Sequence, residues 1–312
     1  MTCVVCLDAA ASAERVCSCS ALACRVCLLA LLDHGRERCA VCGSRFQPSA
    51  ILNACLLGVE ASPADPAKAH LKLAMAYAGA GDPLRALNSL AIAQHSVEPG
   101  SRWHSMIALE TAQSHLAIGQ IASAESCLRS VMPKLLELPR TVSSGVLFAN
   151  CCTLLCKTTM QQQRNVQARA WLRRAINIQA DLGLDRPLAT SLQLDARLLS
   201  REGKYLLAKK TLQSADRLLS RCETDECVRA SVKVEMAIAE VQLGETDAAQ
   251  AILRGVLPTL RRRSKLDDKF SADLLPTAAR ALALIVAPQR RLRRKTRPEC
   301  VGHREAALHA RA

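Results

Sequence analysis

The sequence predicts a mainly α protein in two parts: a small metal-braced module at the start, then an α-solenoid of about five helix hairpins. Three observations carry this. Aromatic residues make up only 2% of the 312 positions, while Ala and Leu abound and hydrophobic residues reach 50%. That composition suits packed helices and leaves little for a sheet-rich core. Eight of the 16 cysteines fall within the first 42 residues, so that region uses sulfur for something the rest does not. From about Ala67 onward, apolar residues recur at helical spacing between short breaks near Gly or Pro.

The first element is the cysteine-rich start. Its thiols form four close pairs: Cys3 with Cys6, Cys17 with Cys19, Cys24 with Cys27, and Cys39 with Cys42. Two thiolates on one tight turn reach a single tetrahedral Zn²⁺, with Zn–S bonds near ~2.3 Å, and four pairs imply two ions. A segment this short exposes too much surface to fold on apolar burial alone, and metal binding supplies the missing free energy. Met1 leads directly into the first pair, without a basic stretch or small-residue cleavage site ahead of it. The expectation is therefore a reducing, cytoplasmic or nuclear setting in which metal rather than disulfide claims the thiols. The apolar run from Ser20 to Leu32 is broken by Arg25, and no run approaches the ~18 apolar residues of a membrane span.

The order Cys-x2-Cys, x10, Cys-x-Cys, x4, Cys-x2-Cys, x11, Cys-x2-Cys resembles a RING-type zinc finger, and the Cys17-x-Cys19 step is most similar to the RING-CH variant. The tail Cys39-Ala-Val-Cys42-Gly-Ser-Arg45-Phe46 adds to the likeness. The resemblance implies a cross-brace in which Cys3, Cys6, Cys24 and Cys27 hold one zinc ion and Cys17, Cys19, Cys39 and Cys42 the other. It also implies a ubiquitin ligase that docks a ubiquitin-conjugating enzyme and positions its thioester. In such fingers the docking surface uses an aliphatic residue before the second ligand and an apolar one in the helix after the sixth. Val5 and Leu31 hold those places here. The x4 gap also fits a PHD finger, a histone-tail reader. That fold usually carries a Trp where this chain has Glu37, and residues 1–45 contain no Phe, Tyr or Trp to build a methyl-lysine cage. His34, between Asp33 and Gly35, reads as the end of the short helix.

The body repeats itself. Ala86, Ala124, Ala168, Ala208 and Ala249 superpose, at successive spacings of 38, 44, 40 and 41 residues. Four positions on stand Leu90, Leu128, Leu172, Leu212 and Leu253; seven on stand Ala93, Val131, Ala175, Ala215 and Val256. Five positions before stand Gly81, Gly119, Gln163, Gly203 and Gly244. Positions 0, +4 and +7 keep one helical stripe for burial, Ala at 0 admits the preceding helix closely, and Gly at −5 closes the turn. Each unit is thus a hairpin that buries its stripe only by stacking. The first unit, Leu73-Ala74-x2-Tyr77-x3-Gly81-Asp82-x3-Ala86-x3-Leu90-x2-Ala93, resembles tetratricopeptide repeats, with a period above their usual ~34. That likeness implies a groove that takes a protein or peptide segment.

The excess of Lys and Arg over Asp and Glu gives a formal charge of +14, which favours acidic partners. Much of it sits in Arg261–Arg263 and in Arg290, Arg291, Arg293, Arg294, Lys295 and Arg297, a basic tail suited to nucleic acid or nuclear import. Cys151, Cys152 and Cys156 read as small core hydrophobes, and Cys222 and Cys227 flank a polar loop. No phosphate-cradling Gly loop, HExxH or G-x-S-x-G is present, so no catalytic residue is assigned, and any enzymatic role is expected to come through the finger. The expected organisation is a finger at 1–48, a linker at 49–66, repeats at 67–287 and a basic tail at 288–312. The main functional expectation is a RING-type ligase whose repeats recruit the substrate. The alternatives are a non-enzymatic zinc-finger scaffold and a chromatin reader.

Overall fold

The computed structural model describes residues 66–139, 141–222, 226–264 and 274–283; before these it describes 3, 5, 6, 13–17, 19, 21–34, 36, 38, 39, 41, 42, 44 and 46–61. The basic tail, Glu37, Gly43 and Arg45 lie outside the described residues. The chain divides into two compact units. One comprises Met1–Gly203 with Ser214–Glu223, the other Lys204–Gln213 with Thr224–Ala312.

Within the first unit, β1 (Ala13–Arg15) pairs antiparallel with β2 (Leu22–Cys24), placing Ala13 opposite Cys24. The helix α1 (Arg25–Asp33) follows at once, and His34 closes it by donating its backbone N–H to the carbonyls of Ala30 and Leu31. Cys3, Val16, Cys17, Leu28 and Cys39 form a small core, so three of the eight thiols double as its packing. The stretch 49–66, expected above as a linker, is instead largely helical: α2 spans Pro48–Ala61. Pro48 suits a first helical turn, and the helix has apolar surface to bury. Phe46, Ala50 and Ala54 complete that small core, while Cys55 packs with Leu73 and Ala76 of the next helix.

The hairpins follow in order: α3 (Pro66–Gly79) with α4 (Pro83–His95), α5 (Arg102–Ile118) with α6 (Ile121–Glu137), and α7 (Val142–Gln161) with α8 (Asn165–Asp181). Next come α9 (Asp185–Arg201) and α10 (Tyr205–Arg221), the latter divided between the units. The second unit continues with α11 (Glu226–Gln242), α12 (Thr246–Ser264) and a helical segment at 274–283, whose Ala278 is buried against Leu253 and Leu257 of α12. All fifteen residues of the Ala/Leu/apolar triplet are buried, none more than 5% exposed. In the first unit the first helices α3, α5, α7 and α9 pack on one another in succession and form one layer.

The turn residue behaves as its position demands. Gly81, Gly119, Gly203 and Gly244 have φ between 73° and 86°, and Gln163, which breaks the glycine pattern, adopts the same left-handed backbone at φ 61°. An L side chain there costs about 1–2 kcal/mol, and part of that is offset by the entropy Gly loses on folding. Gln163→Gly should therefore raise stability by roughly 0.5–1 kcal/mol, read as a higher urea midpoint at unchanged slope. A lower midpoint would mean that the Gln163 side chain contributes a contact of its own.

Polar links join successive hairpins. In the first unit the residue after the repeat alanine reaches the turn of the next hairpin: Glu125 accepts from Gln162 Nε2 at 2.6 Å and pairs with Arg164 at 3.3 Å, and Arg169 pairs with Glu202 at 2.7 Å. In the second unit Lys209 pairs with Glu245 and, at 3.4 Å, with Glu240. Glu125 is the most buried of the bridging residues next to the alanines, and Arg129 also pairs with it at 2.7 Å. The Gln162 hydrogen bond, with Arg129 and Arg164 adding attraction, holds its carboxyl below the ordinary carboxylate value against the opposing effect of burial. A folded-state value below the unfolded one stabilises above about pH 4.3 and is lost as pH falls through the folded value. Glu125→Gln is therefore expected to destabilise by about 1–3 kcal/mol at neutral pH. The gap from the unsubstituted chain should close in acid, measured by denaturant melts across pH 3–7.

Candidate metal centre

The eight cysteines gather into two quartets. The sulfurs of Cys3, Cys6, Cys24 and Cys27 lie within 4.8 Å of one another, as do those of Cys17, Cys19, Cys39 and Cys42. This grouping is the interleaved one that the finger resemblance implies. Local structure explains it. The β1–β2 hairpin sets Cys24 at the end of β2, where α1 begins, and the first turn of α1 carries Cys27 to the same side. Beyond α1, the Cys39 backbone N–H donates to Ser44 O at 2.8 Å and the Gln47 N–H donates to Val16 O at 2.7 Å.

A tetrahedral ion with Zn–S bonds of ~2.3 Å keeps its sulfurs about 3.8 Å apart. In the second quartet Cys19 and Cys39 sulfurs are 3.8 Å apart, Cys17 and Cys42 3.5 Å, and Cys17 and Cys19 2.9 Å. All eight cysteines are free thiols. Four sulfurs at these separations make a donor set suited to Zn²⁺ or another thiophilic ion.

The electrostatics of each quartet calls for a cation. Burial disfavours the Cys3 thiolate, but N–H groups of Cys6, Cys24 and Val5 aimed at its sulfur hold the thiol down at about 6. Ser44, with Oγ 2.8 Å from the sulfur and a backbone hydrogen bond besides, holds Cys42 at about 6. Burial, reinforced by the Cys19 sulfur, pushes Cys17 up to about 12; the Cys24 sulfur and then burial push Cys27 up as well. Each quartet thus joins a thiol biased towards ionisation to one that resists it. Four thiolates coexist there only around a positive ion, which displaces the protons. The N–H···S bonds are the outer support that such thiolates require.

The remaining sequence-marked residues are placed as follows. Val5 is exposed at 42%, as a partner contact requires, while Leu31 is half-buried against the amino-terminal core. Val26 and Val41, at 66% and 65%, are more exposed than either. Their exposure is not legible in the sequence, because an apolar residue next to a cysteine carries no sign of which way it faces. Cys151, Cys152 and Cys156 are fully buried on α7, and burial pushes each thiol up to about 12, which suits packing rather than reactivity. Cys222 donates to Leu218 O at 3.4 Å, and the Cys227 side chain lies outside the described residues. No helix among the described residues is long and apolar enough to cross a membrane.

No protein-family model matches the chain, and no curated relative matches it. Solved structures do. RapI, in its apo form, aligns at TM-score 0.58 and 11% identity, over 86% of this chain and 98% of its own. A STAND signal-transduction ATPase with a tetratricopeptide repeat sensor from Pyrococcus horikoshii aligns at 0.58 and 13%, over 80% of this chain and 38% of its own. BtubC (BKLC) from P. vanneervenii aligns at 0.52 and 13%, over 70% and 89%. At these identities the likeness is one of fold. Together with the buried triplet and the left-handed turns, it makes this a helical-repeat protein of tetratricopeptide-like architecture.

Proposed function

We propose that the chain is a protein-interaction scaffold: a zinc-braced finger at 1–48 followed by tetratricopeptide-like repeats at 67–287 that hold a protein or peptide segment. The observation that carries this is the succession of buried hairpin stripes, which leaves the α3, α5, α7 and α9 layer with solvent-exposed side chains such as Met75, Trp103 and Gln113. Repeats stacked in this way bind along an extended surface rather than in a catalytic cleft. Zinc, held by Cys3, Cys6, Cys24 and Cys27 and by Cys17, Cys19, Cys39 and Cys42, supplies folding free energy and no chemistry of its own, since a four-thiolate site leaves no open position. A photo-crosslinking residue at Met75 or Gln113 in the full chain should give discrete protein adducts in cells, whereas one at Leu136, on α6, should not. Equal, diffuse labelling from all three positions would sink the reading.

A second reading, the RING-type ligase, is favoured by the interleaved quartets and by exposed Val5. There the finger would hold a conjugating enzyme's thioester in reactive geometry. Discharge of ubiquitin from a panel of charged conjugating enzymes, lost in Val5→Arg while both zinc ions stay, would establish it. No discharge across the panel by the zinc-loaded chain would leave the scaffold.

A further inference from the structure

We propose that the finger serves the helical repeats as their amino-terminal cap, so that metal loading of the two thiol quartets governs the order of α2 and of the first hairpin, α3–α4. The inference rests on the zinc reading above and extends it from the finger to the repeats. In a stacked array each hairpin buries apolar surface on both neighbours, and the first hairpin has none before it, so its outer face needs another cover.

That face belongs to α3. Leu73 and Ala76, 5% and 8% exposed, and the half-buried Tyr77 pack with Cys55, Ile51 and Leu52 of α2 and with Leu32 of α1. The same α2 is held from the finger. Its Ala50 and Ala54, 2% and 0% exposed, lie in one core with Leu28, Phe46 and the ligand thiols Cys3, Cys17 and Cys39. Ile51 touches both groups. An ion pair between Lys72 and Asp33 ties α3 directly to the end of α1. A continuous path of packing therefore runs from the ligand thiols through the finger core and α2 to α3, all inside the first unit.

Without the ions, the quartets lose the cation that lets buried sulfurs share one site, and a core in which three of ten buried members are ligand thiols loses its frame. α2 then keeps too little apolar contact to stay ordered, and Leu73, Ala76 and Tyr77 are uncovered. The effect has a boundary. The buried stripe of α3 and α4 continues into Ile107 of α5, and α5, α6 and α7 share a separate core around Leu128. Disorder spreading from the finger should fade there.

Hydrogen exchange read by mass spectrometry on the full chain tests this, with zinc content measured in every sample. Stripping both ions with a chelator is expected to lower protection across 66–95 by roughly tenfold or more and to leave α7 and α8 unchanged. Unchanged protection at 66–95 after both ions have gone overturns the cap. Leu52→Asp disrupts the α2–α3 side alone. In the zinc-loaded chain it should give the same loss at 66–79 with both ions kept, and intact protection there again overturns the proposal. Loss of zinc in Leu52→Asp would be the same coupling running in reverse and supports it. A purified chain that binds no zinc at all would end the metal reading and the metal dependence with it, while Leu52→Asp would still decide whether α2 covers the first hairpin.

Discussion

On the zinc reading proposed above, serine at Cys3 and Cys24, or at Cys17 and Cys39, is expected to cost the protein both metal ions rather than one. Each pair takes two sulfurs from a single quartet, so a scheme of independent sites predicts that the other quartet survives. The chain order argues otherwise. Ligands of the first quartet stand at 3, 6, 24 and 27 and those of the second at 17, 19, 39 and 42, so each loop that closes one site contains part of the other. Cys3, Cys17 and Cys39 also sit together in a single core cluster with Leu28 and Val16 among the described residues. A structural zinc site contributes about 10–16 kcal/mol of apparent folding free energy. A whole domain is stable by only about 5–15 kcal/mol. Removing one site therefore leaves nothing to hold the second quartet in register. Elemental analysis of the purified double variants should return near-zero zinc, against two ions in the unsubstituted chain. One ion retained in either variant would show that the quartets fold separately.

What the sequence disclosed and what it hid divide along a physical line. The triplet was legible because its members interact at fixed short spacing on one helix, and the cysteine pairs were legible because a tight turn brings neighbours to one ion. Gln163 marks the limit of that kind of reading. The left-handed turn exists because the two helices of the hairpin pack, and packing imposes it even where the residue does not favour it. The links from Glu125 to Gln162 and from Arg169 to Glu202 span 37 and 33 residues and exchange the sign of charge, so no local pattern exposes them. α2 was hidden for another reason. Its apolar residues serve two neighbours, the amino-terminal core with Ala50 and Ala54 and α3 with Leu52 and Cys55, which spreads them around the helix and erases the one-sided stripe that marks an amphipathic element. The three-residue strands β1 and β2 are too short to show alternation.

Leu128→Ala is expected to be among the most damaging single substitutions in the repeats. Leu128 is fully buried, and its core draws Leu109 and Ala112 from α5, Ala124 and Val131 from α6, and Leu147, Cys151 and Leu155 from α7. Because three helices converge on it, no single one can shift to fill the gap. The cavity should persist, and the cost should fall towards the middle or top of the ~2–5 kcal/mol range for Leu→Ala in a core. A second effect compounds the first. In a repeat array stability comes from hairpins and from the interfaces between them, and Leu128 serves both: it packs its own hairpin and the junction with the next. Denaturant melts should therefore show a lower midpoint and also a broader transition, as hairpins on either side of α6 begin to unfold separately. Leu136→Ala, on the same helix but 67% exposed, should change stability by less than about 0.5 kcal/mol. A Leu128→Ala cost below about 1 kcal/mol, with cooperativity intact, would mean that the helices around it collapse freely, and the convergence of α5, α6 and α7 on one core would then not be what holds the repeats in register.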